Sequence, residues 1–188
     1  MGEPHEVSRK TLCAGQFLQY QIIDWADAQG KIRKWEAVER VRGTNAVLLI
    51  PWMRPSNRLV LIRQYRPPTD ARIIEFPAGL IEPGEAPESA AVREMREETG
   101  YDCVIREVQP DTYNTPGLTS ETVYNIVVEI ADDAPCRPCP DDGEDIETML
   151  VARGEIAAFV RKELAAGSRF DSKVWAYLQG FLAAGGGA

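Results

Sequence analysis

Histidine is almost missing from this 188-residue chain, which carries a single one, His5, close to its N-terminus. That scarcity excludes a histidine triad, a histidine-rich zinc site and an imidazole general base inside the folded body. Cysteine is also sparse. Cys13, Cys103, Cys136 and Cys139 are too few and too scattered for a disulfide framework in a chain of this size. Cys136 and Cys139 form a lone CxxC with no second pair beside it, and read as loop cysteines rather than as a metal or redox pair. No apolar run approaches the ~18 residues of a membrane span. The opening "MGEPHEVSRK" has no apolar core for a secretory signal, and Glu6 stands where a myristoylation motif wants Ser or Thr. A cytoplasmic protein without membrane partners is the expectation. Basic excess is missing too, since 21 Lys and Arg face 29 Asp and Glu, a net charge of −8. A general nucleic-acid surface is therefore disfavoured, and any polyanionic ligand must be met locally, by a metal or a small arginine cluster.

What is present is a chain that is 44% hydrophobic, enough for one domain with a real core. No segment repeats at a fixed period, which argues against a solenoid. "FLQYQIIDW" and "KIRKWEAVERV" flank the turn-like "ADAQG" and predict a hairpin. "AVLLIPWM", "RLVLIRQYR", "RIIEFPAG" and "ETVYNIVVEIA" read as further strands. Pro87 suits a first helical turn and Gly100 a C-terminal stop, which brackets a helix over 87–99. "EIAAFVRKELAAG" and "DSKVWAYLQGFLAA" predict two more helices, with Trp175 and Tyr177 as core or interface residues. The expected fold class is α/β and layered. The divisions are a tail over 1–14, a hairpin region over 15–44, a main domain over 45–183 and a short tail over 184–188.

The central helix carries "REMREETGY", which places Glu94, Glu97 and Glu98 at i, i+3 and i+4 on one face. Like charges at that spacing cost only about 0.2–0.5 kcal/mol per pair in an isolated helix. Two readings follow, a solvated acidic face or a carboxylate cluster for a cation. The residues before the helix favour the second. Gly79 is followed after five residues by Glu85, and after seven more by Arg93 and the glutamates. This spacing resembles the Nudix box at every fixed position, with Tyr101 filling a slot that is usually aliphatic. Glycine permits a tight loop, and three carboxylates supply the hard oxygens that magnesium or manganese prefers. Arg93 and Glu85 read as a pair that orients loop against helix.

The resemblance implies a Nudix-type α/β/α sandwich with an N-terminal β-hairpin extension. It also implies Mg²⁺-dependent hydrolysis of a nucleoside diphosphate linked to another group, with Mn²⁺ as an alternative ion. The metal ligands would be Glu94, Glu97, Glu98 and the Ala78 carbonyl. "RQYRPP", "IEFPAGLIEPGE" and "TPGLTSE" resemble the ADP-ribose pyrophosphatase branch, and Pro116 lies fifteen positions past Tyr101, as that branch's rule of thumb asks. On that resemblance, Trp35 and Phe17 would stack on the adenine, with Pro116, Gly117 and Leu118 beside them. The competing reading buries Trp35 in its own subunit's core. Arg66 and Arg40 would contact the diphosphate, and Glu75 would lie near the terminal ribose or the metals. Glu144 would serve as the base that activates water, with Glu147 the second choice, and Glu97 and Glu98 would share the catalytic role. A homodimer is implied, the hairpin region serving both dimerisation and base binding. Alternatives are a hydrolase of another sugar nucleotide such as GDP-mannose, or a sensor that binds ADP-ribose without cleaving it.

Overall fold

The computed structural model describes residues 2–42, 45–134 and 145–185. The first three strands, β1 (His5–Ala14), β2 (Leu18–Ala26) and β3 (Ile32–Arg40), form an antiparallel sheet of their own. The predicted hairpin is β2 and β3, in register from Leu18 opposite Arg40 to Ala26 opposite Ile32. The segment expected to be a tail departs from that expectation. β1 pairs along β2 from His5 to Ala14, although all of its residues are exposed. Its place comes from the main-chain ladder and from polar cross-strand contacts such as Ser8 to Asp24, so it has no hydrophobic pattern to read.

The remaining strands are β4 (Asn45–Arg54), β5 (Arg58–Arg66), β6 (Ala71–Glu75), β7 (Ala78–Leu80), β8 (Val104–Tyr113), β9 (Thr122–Ala131), β10 (Ile146–Ala152) and β11 (Arg169–Phe170). Among the described residues they make one eight-stranded sheet in the order β11-β6-β5-β4-β9-β8, with β10 added on β5 and β7 on β4. Three helices cover it: α1 (Pro87–Thr99), α2 (Ile156–Ala165) and α3 (Ser172–Ala183). β4 lies parallel to β9 along its whole length and is buried on both faces, which is why it reads as a continuous apolar run. Its side chains alternate between two cores. Val47, Leu49 and Met53 meet Ala90, Ala91 and Met95 of α1, while Leu48 and Trp52 meet Ile156, Val160, Val174 and Leu178 of α2 and α3. The result is a helix layer on each face of the sheet, the α/β/α arrangement.

α1 has the predicted bounds. Pro87 occupies its first turn, and Gly100 closes it with φ 75°, donating its N–H to the Arg96 carbonyl at 2.9 Å. α3 begins on Asp171, whose carboxylate accepts the Lys173 N–H and whose own N–H donates to Ile74 of β6. Tyr177 holds α3 to the sheet through a hydrogen bond from Trp52 and an edge-on contact with Phe76, whereas Trp175 packs on Phe170 and stays part exposed. β8 and β10 were not legible as strands, because most of their residues are exposed or only part buried. No helix among the described residues is long and apolar enough to cross a membrane.

Met95 is fully buried at the contact between α1 and the sheet. Met95→Ala is expected to destabilise the fold by about 2–5 kcal/mol, read as a lower urea midpoint at unchanged slope.

Candidate active site

A cleft of about 1080 Å³ opens between β4, β7, the C-terminal half of α1 and the N-terminus of α3. The hydrogen-bonded pairing of β7 to β4, with Gly79 opposite Val47, delivers the loop that forms its floor. Gly79 is there for a reason of space. A Cβ at this position would lie 1.9 Å from the Glu94 carboxyl carbon and 2.0 Å from one of its oxygens, closer than any side chain permits. Glu94 can therefore rest on the backbone only because residue 79 has no side chain.

Arg93 is the clamp between loop and helix. Its Nε and Nη2 donate to the two oxygens of Glu85 at 3.0 and 2.9 Å, and Nη2 also donates to the Leu80 carbonyl at 2.9 Å. Nη1 reaches Glu94 at 2.6 Å and Glu97 at 3.0 Å. The two partners' titrations move oppositely, as an ion pair requires: the bond to Glu85 is the largest cause raising the guanidinium pKa, and the bond from Arg93 the largest lowering that of Glu85. Glu98 is buried at 5% exposure, and one of its oxygens accepts the Ala78 N–H at 2.9 Å. Ala78 thus orients a carboxylate through its N–H, in addition to the role expected of its carbonyl.

The donor chemistry of Glu94, Glu97 and Glu98 fits a hard divalent cation. Among the described residues, however, no three carboxylates converge as a preformed cage. Arg93 holds Glu94 and Glu97, so these two would have to turn from the guanidinium to serve as metal ligands.

Several other residues line the same cleft. Arg66 makes a two-pronged ion pair with Glu75, at 2.8 and 2.7 Å. Arg40 pairs with Glu121, which also accepts a hydrogen bond from Asn114 at 3.0 Å. Lys173 of α3 donates to Asn114 at 3.2 Å and to Asp171 at 2.9 Å. Asn114, Glu121, Asp171 and Lys173 escaped the sequence reading; only the position of Glu121 in "TPGLTSE" hinted at it.

The aromatic candidates lie outside the cleft wall. Trp35 is 49% exposed, which excludes burial in its own core, and its Nε1 donates to the Gly117 carbonyl at 3.1 Å. Phe17 is 71% exposed, and Pro116, Gly117 and Leu118 are exposed as well. The structure therefore joins Trp35 to the 116–118 loop as a shelf. Glu147 lies on β10, not in a loop, and accepts a hydrogen bond from Arg63 at 3.2 Å, away from the cleft lining. Glu144, Cys136 and Cys139 lie outside the described residues. Cys103 is held by burial as a thiol, its pKa pushed up to about 11. A second pocket of about 410 Å³, formed by Leu164, Phe170 and Trp175 among others, holds none of these groups.

An acidic helix face clamped under a glycine loop, in a cleft of an α/β/α sandwich that also holds arginines, suits a metal-bound anionic ligand. The NUDIX domain model matches residues 43–172. The chain is 34% identical over 183 residues to a mouse ADP-sugar pyrophosphatase, covering 90% of this chain and 84% of that protein. It is 30% identical over 181 residues to a Saccharomyces cerevisiae ADP-ribose pyrophosphatase, covering 90% and 78%. A crystal structure of an ADP compounds hydrolase superposes with a TM-score of 0.68 over 86% of this chain and 84% of that one at 21% identity, a likeness of fold. The chain belongs to the Nudix family and is a Nudix pyrophosphohydrolase. Hydrolases of this family generally work with divalent metal ions.

Two consequences are measurable. Gly79→Ala must displace Glu94 and is expected to lower kcat/KM by about 10²-fold with the circular dichroism unchanged. Glu85 has a folded pKa below its ordinary 4.5, so its contribution to stability is complete above that pH and is lost as the pH falls through the folded value. The stability gap between wild type and Glu85→Gln in urea titrations should thus be full at pH 7 and shrink as the pH falls progressively below 4.5.

Proposed function

We propose that the protein hydrolyses ADP-ribose to AMP and ribose 5-phosphate with Mg²⁺, as a cytoplasmic homodimer. The observation that carries this reading is the juxtaposition of two unlike surfaces: a carboxylate cleft suited to a metal-bound diphosphate, and an exposed Trp35 shelf suited to a base. The printed names of the mouse and yeast relatives, an ADP-sugar and an ADP-ribose pyrophosphatase, support the same substrate class.

Glu94, Glu97, Glu98 and the Ala78 carbonyl would hold the ion. Bound there, it supplies Lewis-acid polarisation of the diphosphate and a lowered pKa for the attacking water. Trp35, on the shelf of Pro116, Gly117 and Leu118, takes one adenine face, and Phe17, which lies beside Val41 six positions past Trp35, takes the other from the second subunit of the dimer. Arg40 and Arg66 counter the phosphate charge, each held in place by its own carboxylate, Glu121 and Glu75. Glu75 also faces the terminal ribose, and Glu144 takes the proton of the water.

The test is product analysis on an equimolar panel of ADP-ribose, GDP-mannose, ADP-glucose, NADH and diadenosine polyphosphates, with Mg²⁺ and a chelator control. AMP released mainly from ADP-ribose, and abolished by the chelator, is the expected result. Turnover chiefly of another compound overturns the substrate, and binding of ADP-ribose without cleavage favours a sensor.

A further inference from the structure

β3 grips the loop between β8 and β9 at successive points. The Trp35 indole donates to the Gly117 carbonyl, and the Val38 N–H to the Leu118 carbonyl at 2.9 Å. Arg40 then pairs with Glu121 inside the cleft. Between these contacts stands Glu39, a carboxylate that is only 6% exposed and does not line the cleft. Its Oε1 accepts the Ser120 N–H at 3.1 Å and Arg9 of β1 at 3.2 Å. Its Oε2 accepts the Ser120 hydroxyl at 2.8 Å and the Thr119 hydroxyl at 3.4 Å.

A buried carboxylate is unfavourable unless donors replace its lost hydration, and here the loop supplies most of them. The dependence runs both ways. Residues 119 and 120 satisfy Glu39, and Glu39 in turn orders the loop whose two ends carry the base shelf and Glu121.

We infer that Glu39 is a positioning residue for substrate binding, its buried carboxylate setting the 114–121 loop against the N-terminal sheet. The inference rests on the reading of shelf and cleft as the base and diphosphate sites. Arg9 extends the device to β1, so the outermost strand acts on the site through one carboxylate. Because Glu39 touches neither cleft nor shelf surface, its removal should weaken binding and spare the chemical step.

Full-length wild type, Glu39→Ala and Glu39→Gln are compared by amide hydrogen exchange and by steady-state kinetics on ADP-ribose with Mg²⁺. In Glu39→Ala the Ser120 amide should exchange about tenfold faster or more, KM should rise about tenfold, and kcat should stay within about twofold. Glu39→Gln keeps an acceptor for Ser120 and should recover much of the KM. If Glu39→Ala fails to fold, Ser120→Ala, which removes the hydroxyl contact alone, carries the same comparison. Unchanged protection at Ser120, or a loss confined to kcat, overturns the inference. A wild type that leaves ADP-ribose intact overturns the functional reading and the substrate role built on it, while exchange at Ser120 still decides whether Glu39 sets the loop.

Discussion

The Arg93 guanidinium is the group on which the rest of the site depends. Both oxygens of Glu85, one each of Glu94 and Glu97, and the Leu80 carbonyl accept its hydrogen bonds. Carboxylates gathered on one helix face repel one another, and a guanidinium placed among them offsets that repulsion. Arg93 is that guanidinium and ties the loop to the helix in the same stroke. It would also set a condition for metal binding, since a cation held by Glu94 and Glu97 would compete with Arg93 for both.

The same economy recurs around the cleft. Arg66 leans on Glu75, Arg40 on Glu121, and Lys173 on Asp171. Pairing of this kind orients long flexible side chains before a ligand arrives, so less side-chain freedom is lost on binding. It gives a chain with a net charge of −8 a cleft with ordered cations in its wall. The Arg40–Glu121 pair joins the N-terminal sheet to the β8–β9 loop, and the hydrogen bond from Lys173 to Asn114 joins that loop to α3, so all three meet at the cleft.

The shared face of Glu94, Glu97 and Glu98 was legible from spacing, because a helix places i, i+3 and i+4 on one face whatever surrounds it, while Gly79 and Glu85 were picked out by the resemblance to the family's box. The bounds of α1 were likewise written in Pro87 and Gly100, residues whose backbone restrictions act locally. The strand β1 was not legible, since its exposed side chains carry no apolar period. Nor was the placing of Glu147 on β10, whose residues are mostly half buried and so lack the alternation that marks a strand.

The amino-acid sequence by itself therefore determined the glycine loop, the helix and its three glutamates, all features governed by φ, ψ and short-range periodicity. With a single histidine, it also narrowed the side chains on offer for chemistry to carboxylates and arginines acting with a metal. Only the tertiary structure decided which acid each cation meets, that Glu94 rests on the backbone of Gly79, and that Asn114, Glu121 and Lys173 share the cleft. Those partnerships span from a few residues to more than eighty along the chain, and are fixed by the packing of β4 between two helix layers. No local pattern encodes them, because a carboxylate's partner is set by distance in space.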